Sequence, residues 1–490
     1  MKGRRVPLLV FATCLLACLL VWSGHHYSID GILLFQTAKP LAFRGSLRME
    51  PPVVWGSQVV HVSKYAVGLP SLYVPVLWLL NLTVFHGDPI LKRTPFQAGS
   101  PYNQALLADP AYRYASLLHP LVTSLTALLL YLLAVRLGNG RKISAAAALV
   151  YGLASPALPY SRFDYSQPLC ALLLLAAFCC LAVARGSGKT KWLLLAGVAS
   201  GMLLLTRSEF LVLLFGPLLP GIFWTFAPPR PGGWRQGATA AAAYAAAAAP
   251  WILLLLVLNR VRFGSWLSTG SSVAEFTFAL PRILAGLAGN LVSPGRGVLL
   301  FFPALIFSLF CLRRARKDRL QAVMLAATAA AFLFYSSRLK WGAGICWGPR
   351  FMIPYLPLLA LLALSGFASL TILPSRVKAV TGAFLVGLGG IFSLQGSLFN
   401  YLPYYNAMVR SGVRIGLGDY HFLWRHSPLL NGWRDLLRPD RYDIFWLRHA
   451  AARGGDHWPL LVLLGGLSVC AVFWWRFFRE PTPPEGTKGA

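Results

Sequence analysis

The sequence predicts an all-α polytopic membrane protein with about 12 transmembrane helices. Two observations predict this class. First, 57% of the 490 residues are hydrophobic and 12% are charged, and the mean hydropathy is +0.60, whereas a soluble chain of this length needs far more polar surface. Second, apolar runs of roughly 20 residues, the length that crosses a bilayer, alternate with short basic segments.

The expected spans are residues 6–22, 115–135, 143–160, 168–184, 192–206, 210–226, 237–258, 297–312, 320–336, 351–371, 379–399 and 458–475. The first run follows Lys2, Arg4 and Arg5 but lacks a small-residue cleavage site, so we expect an uncleaved span. A further apolar run, 68–85, is ambiguous in length. We expect it to dip into or lie on the outer leaflet, because a crossing there would move all later basic clusters to the outside.

Positive charge gives the expected orientation. The chain has 45 Lys and Arg against 15 Asp and Glu, a net charge of +30. The cations fall in clusters between apolar runs, which is typical of membrane topology and anionic headgroups and argues against nucleic-acid binding. With the spans above, the clusters near residues 2–5, 136–142, 185–191, 230–235, 313–319, 376–378 and 476–479 are all cytoplasmic. We therefore expect both termini in the cytoplasm and a location in the plasma or inner membrane.

This topology divides the chain into four parts. Residues 1–399 are expected to form the main transmembrane module, with a long outer loop, 23–114, that carries juxtamembrane helices. Residues 400–457 form a second large outer loop, and 458–479 contain the last span. The tail, 480–490, lacks apolar residues to fold and is expected to be disordered in the cytoplasm. Short outer loops fall near 161–167, 207–209, 259–296 and 337–350.

The chemistry is expected at the outer ends of the helices. No expected span has a charge in its middle, where ion-coupled transporters usually carry carboxylates. Instead, arginines lie close to the outer boundary in four short loops: Arg162, Arg207, Arg296 and Arg350. Guanidinium groups bind phosphate through paired hydrogen bonds, so several on one face predict a site for a lipid-linked phosphate. The alternative for each arginine is an ordinary contact with lipid headgroups.

A carboxylate follows directly after the first span. Asp30 lies in the stretch HHYSIDGILLFQTAKPLAFRG, residues 25–45, and is the first acid of the chain. Asp164 and Glu209 lie in outer loops beside Arg162 and Arg207, and Trp341 and Trp347 flank the loop that ends at Arg350. Carboxylates and aromatic rings at an outer site are candidate contacts for an acceptor or a sugar.

These motifs resemble a known superfamily. KPLAFRGSL after Asp30, HVSKYAVGLP at 61–70, YSRFDYSQP, SPGRG with FFP, and WGAGICWGPRFMIPYLP occur in order along the chain. Together they resemble the GT-C superfamily of polyprenyl-phosphate-dependent glycosyltransferases, which includes protein O-mannosyltransferases and the aminoarabinose transferase of lipid A. The resemblance covers most of the chain.

The resemblance implies an inverting transfer of a hexose or pentose from a polyprenyl-phosphate donor to an outer-face glycan, lipid or protein. It implies that Asp30 is the general base, or the ligand of a metal that assists. It implies donor-phosphate binding by Lys64 and Arg350 first, with Arg162, Arg207 and Arg296 as weaker matches. Asp164, Glu209, Trp341 and Trp347 remain candidate acceptor or sugar contacts.

The chain departs from the pattern at one position. Many members carry a second acid directly after the first, and here that position is Gly31. A lone acid disfavours a metal ligand and keeps the general-base role. The eight cysteines have no metal or disulfide spacing, so no cofactor is evident and a divalent cation is left open. The alternative function is a transporter or flippase for a lipid-linked or small solute. A third hypothesis, a non-enzymatic membrane scaffold, would leave the arginines and aspartates of the outer loops unexplained.

Overall fold

The fold is a bundle of membrane-length helices capped at one end by the two large loops. The computed structural model describes residues 5–55, 58–88, 109–270, 275–415, 418–436, 438–452 and 454–480. Each of the twelve expected spans is occupied by helical segments. Their bounds are Arg5–Leu20, Leu118–Arg136, Arg141–Leu153 with Ala157–Tyr160, Gln167–Ser187, Thr190–Thr206, Ser208–Phe226, Gly233–Phe263, Val298–Phe301 with Pro303–Phe310, Arg319–Ser336, Arg350–Ser369, Ser375–Leu398 and Trp458–Arg479.

Within the described residues, eight helices are long and apolar enough to cross a membrane. The four other expected spans are shorter or interrupted. Arg5–Leu20 and Thr190–Thr206 are shorter apolar helices. The third span breaks before Ala157 and the eighth breaks at Phe302. Both breaks lie next to a proline, Pro156 and Pro303, which lacks the backbone N–H that a continuing helix needs. The predicted all-α membrane fold is therefore confirmed.

Four of the basic clusters meet at one end of the bundle. Arg185 pairs with Asp318, with 2.6 Å between Nη1 and Oδ1. Arg314 donates to the side chain of Asn139 at 3.0 Å, and Lys142 donates to the carbonyl of Phe478 at 2.9 Å. These contacts join four of the clusters that the sequence assigned to one side. The tail 481–490 lies outside the described residues.

The first large loop folds at the opposite end. After the first span, α1 (Arg5–Leu20), the chain forms α2 (Ile29–Arg44), the strands β1 (Arg48–Trp55) and β2 (Gln58–Val62), and α3 (Gly68–Thr83). The strands form an antiparallel hairpin with Val53 opposite Val60, which the sequence analysis did not predict. Residues 89–108 of this loop lie outside the described part.

An aromatic core joins α2 and α3 to the helix Pro110–Ala115. Phe35, Tyr73 and Tyr112 are buried, with ring centroids 5.3 Å apart between Phe35 and Tyr73 and 5.2 Å apart between Phe35 and Tyr112. The outer face of α3 exposes Leu79 and Leu82, as expected for a helix that contacts lipid.

The expected outer loop 259–296 contains two helical segments. Gly233–Phe263 continues past the expected end of its span, and Leu280–Val292 forms a separate helix. Two glycines explain the packing of this helix. A Cβ atom at Gly286 would lie 2.4 Å from the carbonyl oxygen of Ser336, and one at Gly289 would lie 2.3 Å from the Trp341 ring.

The second large loop, 400–457, contains Leu402–Arg410, short helical turns and Phe445–Ala452, and it packs against the start of the first loop. The backbone N–H of Phe445 donates to the carbonyl of Trp22 at 2.8 Å, and the Trp446 indole donates to the carbonyl of Leu19 at 2.7 Å. The second large loop is thereby joined to the end of the first span, shortly before the helix that carries Asp30.

Candidate functional site

A polar cavity of about 700 Å³ lies at the bundle end opposite the basic contacts. Its wall combines the start of α2, the segment after β2, the junctions between spans at 165–166 and 206–209, and the loop before the tenth span. These are chain segments where one helix ends and the next begins. Polar side chains can therefore collect here without interrupting a helix inside the membrane.

Asp30 lies in the first turn of α2, in the wall of this cavity. One carboxylate oxygen accepts a hydrogen bond from the Tyr65 hydroxyl, and the other accepts one from Arg350. The Asp30 side chain is 16% exposed. Burial raises its pKa, but Arg350 and Tyr65 lower it more, so the pKa of Asp30 lies below its ordinary value of 3.8. The carboxylate is ionised at neutral pH.

Arg350 contacts an acid, an aromatic ring and an amide. It pairs with Asp30, and its guanidinium lies 3.8 Å from the centre of the Tyr165 ring. In the amide orientation that satisfies its hydrogen bonds, the Gln167 oxygen accepts from Arg350 Nε at 3.1 Å and from Arg207 Nη1 at 2.7 Å. Gln167 thus links two guanidinium groups on one wall.

Arg207 and Glu209 form a second charged pair in the same wall. Nε of Arg207 donates to Glu209 Oε1 at 2.7 Å, and the Tyr335 hydroxyl donates to the same oxygen at 3.3 Å. Arg338 pairs with Glu275, and both also line the cavity. Each of these carboxylates therefore faces an arginine.

Two lysines complete the charges of the cavity. Lys64 is exposed, its Nζ lies 5.5 Å from the centre of the Tyr65 ring, and its charge further lowers the pKa of Asp30. Lys340 also lines the cavity and is exposed. Across the described residues, neither amine has an ion-pair partner, so the cavity has a net positive charge that suits an anionic group.

Two of the predicted phosphate-binding arginines lie outside the cavity. Arg296 is 1% exposed and donates to the carbonyls of Gly342, Gly344 and Cys346, each at 2.6 Å. Arg162 is also 1% exposed, and it pairs with Asp443 at 2.8 Å. Both guanidinium groups are used to hold loops together, so neither faces a ligand.

Of the four candidate acceptor or sugar contacts, one lines the cavity and three do not. Glu209 lines the cavity, whereas Asp164, Trp341 and Trp347 are buried and do not. The Trp347 ring packs edge-on against Phe301 at 4.9 Å between centroids, and Trp341 packs against Phe422 at 5.5 Å. In this structure neither indole is available to stack on a sugar.

The cavity also contains residues that the sequence analysis did not select: Tyr65, Tyr165, Glu275, Arg338 and Lys340. Gln167, which was not selected either, is buried behind the wall and contacts Arg350 and Arg207. Two signals point to some of them. Tyr65 directly follows Lys64, and Tyr165 and Gln167 lie in the YSRFDYSQP motif. Nothing in the sequence distinguished Arg338 or Lys340 from other interfacial cations.

The described residues do not provide a metal site around Asp30. No group of three His, Cys, Asp or Glu side chains in that part of the chain is arranged to hold a cation. Both oxygens of Asp30 are instead engaged by Arg350 and Tyr65. A guanidinium occupies the place next to the carboxylate where a cation would bind, so the donor set does not fit a metal ion.

An apolar groove of about 610 Å³ adjoins the cavity. It is lined by side chains from α2, α3 and the spans around 169–173, 202–206 and 251–261, among them Leu72, Leu205 and Trp251. Thr206 lines both the groove and the cavity. A groove of this composition suits a hydrocarbon chain, and its polar end suits a charged headgroup.

Comparison with known proteins identifies the fold. A family model described as dolichyl-phosphate-mannose-protein mannosyltransferase matches residues 94–261, about a third of the chain. ArnT from Cupriavidus metallidurans in the apo state is similar in structure, with a TM-score of 0.50 and 14% identity over 89% of this chain and 88% of ArnT. The same protein bound to undecaprenyl phosphate gives a TM-score of 0.47 and 15% identity over 90% and 79% of the two chains.

The Archaeoglobus fulgidus oligosaccharyltransferase in the apo form gives a TM-score of 0.48 and 13% identity, over 87% of this chain and 61% of that protein. No curated protein sequence matches the chain. The likeness to apo ArnT shows a GT-C fold. With the mannosyltransferase match, it confirms the resemblance to GT-C glycosyltransferases that the sequence motifs predicted.

Proposed function

We propose that this protein is an integral-membrane glycosyltransferase that moves a sugar from a polyprenyl-phosphate donor to an acceptor at the outer face of the membrane. The observation that carries the proposal is the position of Asp30. Its carboxylate lies in a cationic cavity beside Arg350, and the cavity adjoins an apolar groove at Thr206. The GT-C fold and the mannosyltransferase match support this reaction class.

The donor fits the two adjoining spaces. Its polyprenyl chain would lie in the apolar groove, and its phosphate would enter the cavity near Thr206. Arg350 and Lys64 would bind the phosphate, and Arg207 would assist through Gln167, which faces both guanidinium groups. Guanidinium and ammonium groups stabilise the negative charge that develops on the leaving phosphate. Arg162 and Arg296 have no part in this proposal because their guanidinium groups are buried in other contacts.

Asp30 would act as the general base. The acceptor hydroxyl attacks the anomeric carbon, the bond from that carbon to the phosphate oxygen breaks, and its electron pair remains on the phosphate. The hydroxyl proton moves to the Asp30 carboxylate as the new glycosidic bond forms. Attack from the side opposite the phosphate inverts the anomeric centre.

The donor phosphate would also change the state of the base. Asp30 shares Arg350 before the donor binds. A phosphate that takes over part of this guanidinium weakens its hold on the carboxylate, which raises the pKa of Asp30 and makes it a better proton acceptor. Binding and activation of the base would then be coupled through one side chain.

The acceptor contacts and the orientation in the membrane complete the proposal. Glu209 and Glu275 lie in the cavity wall and are available for acceptor or sugar hydroxyls. The positive-inside pattern supports a plasma or inner membrane location with both termini in the cytoplasm and the cavity outside.

Mass spectrometry of the cell envelope tests the activity. Cells that lack the gene are expected to accumulate one polyprenyl-phosphate sugar and to lose one sugar from an outer-face product, and the intact gene is expected to restore both. Unchanged lipid-linked sugars and envelope glycans in the deletion strain would contradict the proposal.

A further inference from the structure

Asp164 binds the chain segment that leads into α2. Its Oδ2 atom accepts hydrogen bonds from the backbone N–H groups of Tyr27 at 3.1 Å and Ser28 at 3.2 Å, and it lies 3.0 Å from Nδ1 of His26. Its Oδ1 atom accepts a hydrogen bond of 2.9 Å from the Ser28 hydroxyl. Asp164 is 1% exposed and does not line the cavity, so both of its carboxylate oxygens are used in these contacts and neither faces a ligand.

The same contacts fix the first turn of α2. Ser28 is the N-cap residue of this helix, and its hydroxyl accepts a hydrogen bond of 3.0 Å from the backbone N–H of Gly31. Asp164, Ser28 and Gly31 are therefore joined in one chain of hydrogen bonds. Asp30 lies between Ser28 and Gly31 in sequence, so its backbone position is set by this chain.

Gly31 explains how Asp164 comes so close. A Cβ atom at position 31 would lie 2.0 Å from Cγ of Asp164 and 2.3 Å from its Cβ, distances at which no side chain fits. The space that a second acid after Asp30 would occupy is thus filled by a carboxylate from a distant loop.

We propose that Asp164 is a positioning residue, which fixes the start of α2 and thereby aims the Asp30 carboxylate into the cavity. The inference rests on the proposed function, in which Asp30 is the base. It gives Asp164 no contact with the donor, the acceptor or a metal.

Graded substitution of Asp164 tests this role. Asp164→Asn can turn its amide oxygen toward the N–H groups of Tyr27 and Ser28, so it keeps those bonds. Asp164→Ala loses them. We expect transfer to fall about fivefold or less in the Asn variant. In the Ala variant we expect a fall of about 10- to 100-fold, because a displacement of roughly 1 Å at a reacting group has this effect.

The assay compares rate with binding. Transfer is measured as product sugar formed in membranes, and affinity is measured with undecaprenyl phosphate and the purified protein in nanodiscs. We expect both Asp164 variants to bind undecaprenyl phosphate as the wild type does. The matched control is Asp318→Ala, which removes the N-cap carboxylate of Arg319–Ser336 at the opposite end of the bundle and is expected to keep the wild-type rate.

Equal loss of transfer in the Asn and Ala variants would overturn the inference, because it indicates a direct role of the charge. A wild-type rate in Asp164→Ala would overturn it as well. If Asp164→Ala does not fold, Ser28→Ala cuts the same chain of hydrogen bonds and is expected to slow transfer without weakening undecaprenyl phosphate binding. A wild-type rate in Ser28→Ala would then contradict the inference. An active Asp30→Asn variant would instead show that the proposed base itself is wrong.

Discussion

Replacement of Arg350 by glutamine should weaken lipid-phosphate binding and transfer together. Arg350 is the side chain that contacts Asp30, the Tyr165 ring and, through Gln167, Arg207. A charge-assisted hydrogen bond contributes about 1.5–3 kcal/mol, which corresponds to roughly 10- to 150-fold in affinity. We therefore expect undecaprenyl phosphate to bind about 10- to 100-fold more weakly to Arg350→Gln than to the wild type.

The same substitution should make transfer sensitive to acid. Without Arg350, burial dominates the environment of Asp30 and its pKa rises. A base with a raised pKa is protonated at a higher pH, so the rate of the variant should begin to fall at a higher pH than the rate of the wild type.

The assay needs two controls. Arg282→Gln removes an exposed arginine from the helix Leu280–Val292, away from the cavity lining, and should keep both affinity and rate. Thermal unfolding of each variant in nanodiscs separates loss of function from loss of the fold, because Arg350→Gln leaves the half-buried Asp30 without its charged partner, at a cost of about 2–5 kcal/mol. A folded Arg350→Gln protein that binds undecaprenyl phosphate with wild-type affinity would refute the donor-phosphate assignment.

Three further predictions concern the base, the groove and the framework. Because the pKa of Asp30 in the free enzyme lies below 3.8, wild-type kcat/KM for the donor, which reports the free enzyme, should show no acid limb from Asp30 above about pH 5. A limb near neutrality in kcat/KM would contradict the pairing of Asp30 with Arg350. Leu254 lines the groove, so Leu254→Trp should weaken undecaprenyl phosphate binding by about tenfold. Leu253 is exposed beside it and does not line the groove, so Leu253→Trp should bind as the wild type does. Equal binding by the two variants would contradict the groove assignment. Asp443→Ala removes the carboxylate that pairs with the buried Arg162, and it should lower the free energy of unfolding by about 3–5 kcal/mol. The control is Glu50→Ala, which breaks an exposed pair with Arg44 and should change that free energy by about 1 kcal/mol or less.

The spans and the first-loop helices were predictable from the sequence because each depends on local composition. Apolar runs of membrane length and the basic clusters between them are properties of neighbouring residues. The hairpin of β1 and β2 was missed, although Val53 and Val54 precede a Gly-Ser pair and Val59 and Val60 follow it, a pattern typical of strands joined by a turn. Leu280–Val292 was missed because its packing depends on Gly286 and Gly289 contacting distant residues.

The site was predictable in part because some of its residues can be located from the expected spans and loops alone. Arg207, Glu209 and Arg350 lie at the ends of expected spans, Asp30 and Lys64 lie in the first outer loop, and all five line one cavity. Arg162 and Arg296 occupy similar places in the sequence, but each is surrounded by carbonyl groups from other loops. Gly342 and Gly344 lie in irregular backbone, whose carbonyls need donors, and Arg296 supplies them. Sequence position alone does not distinguish an arginine that holds a loop from one that faces a ligand.

The most direct test of the central claim is the Asp30→Asn variant, expressed in the deletion strain and followed by mass spectrometry of lipid-linked sugars and envelope glycans. The side chains are nearly equal in size, so the variant should fold and bind undecaprenyl phosphate, but its amide cannot take the proton of the acceptor. We predict that the polyprenyl-phosphate sugar accumulates and that the glycosylated product is absent. Wild-type amounts of product in the Asp30→Asn strain would contradict the assignment of Asp30 as the base.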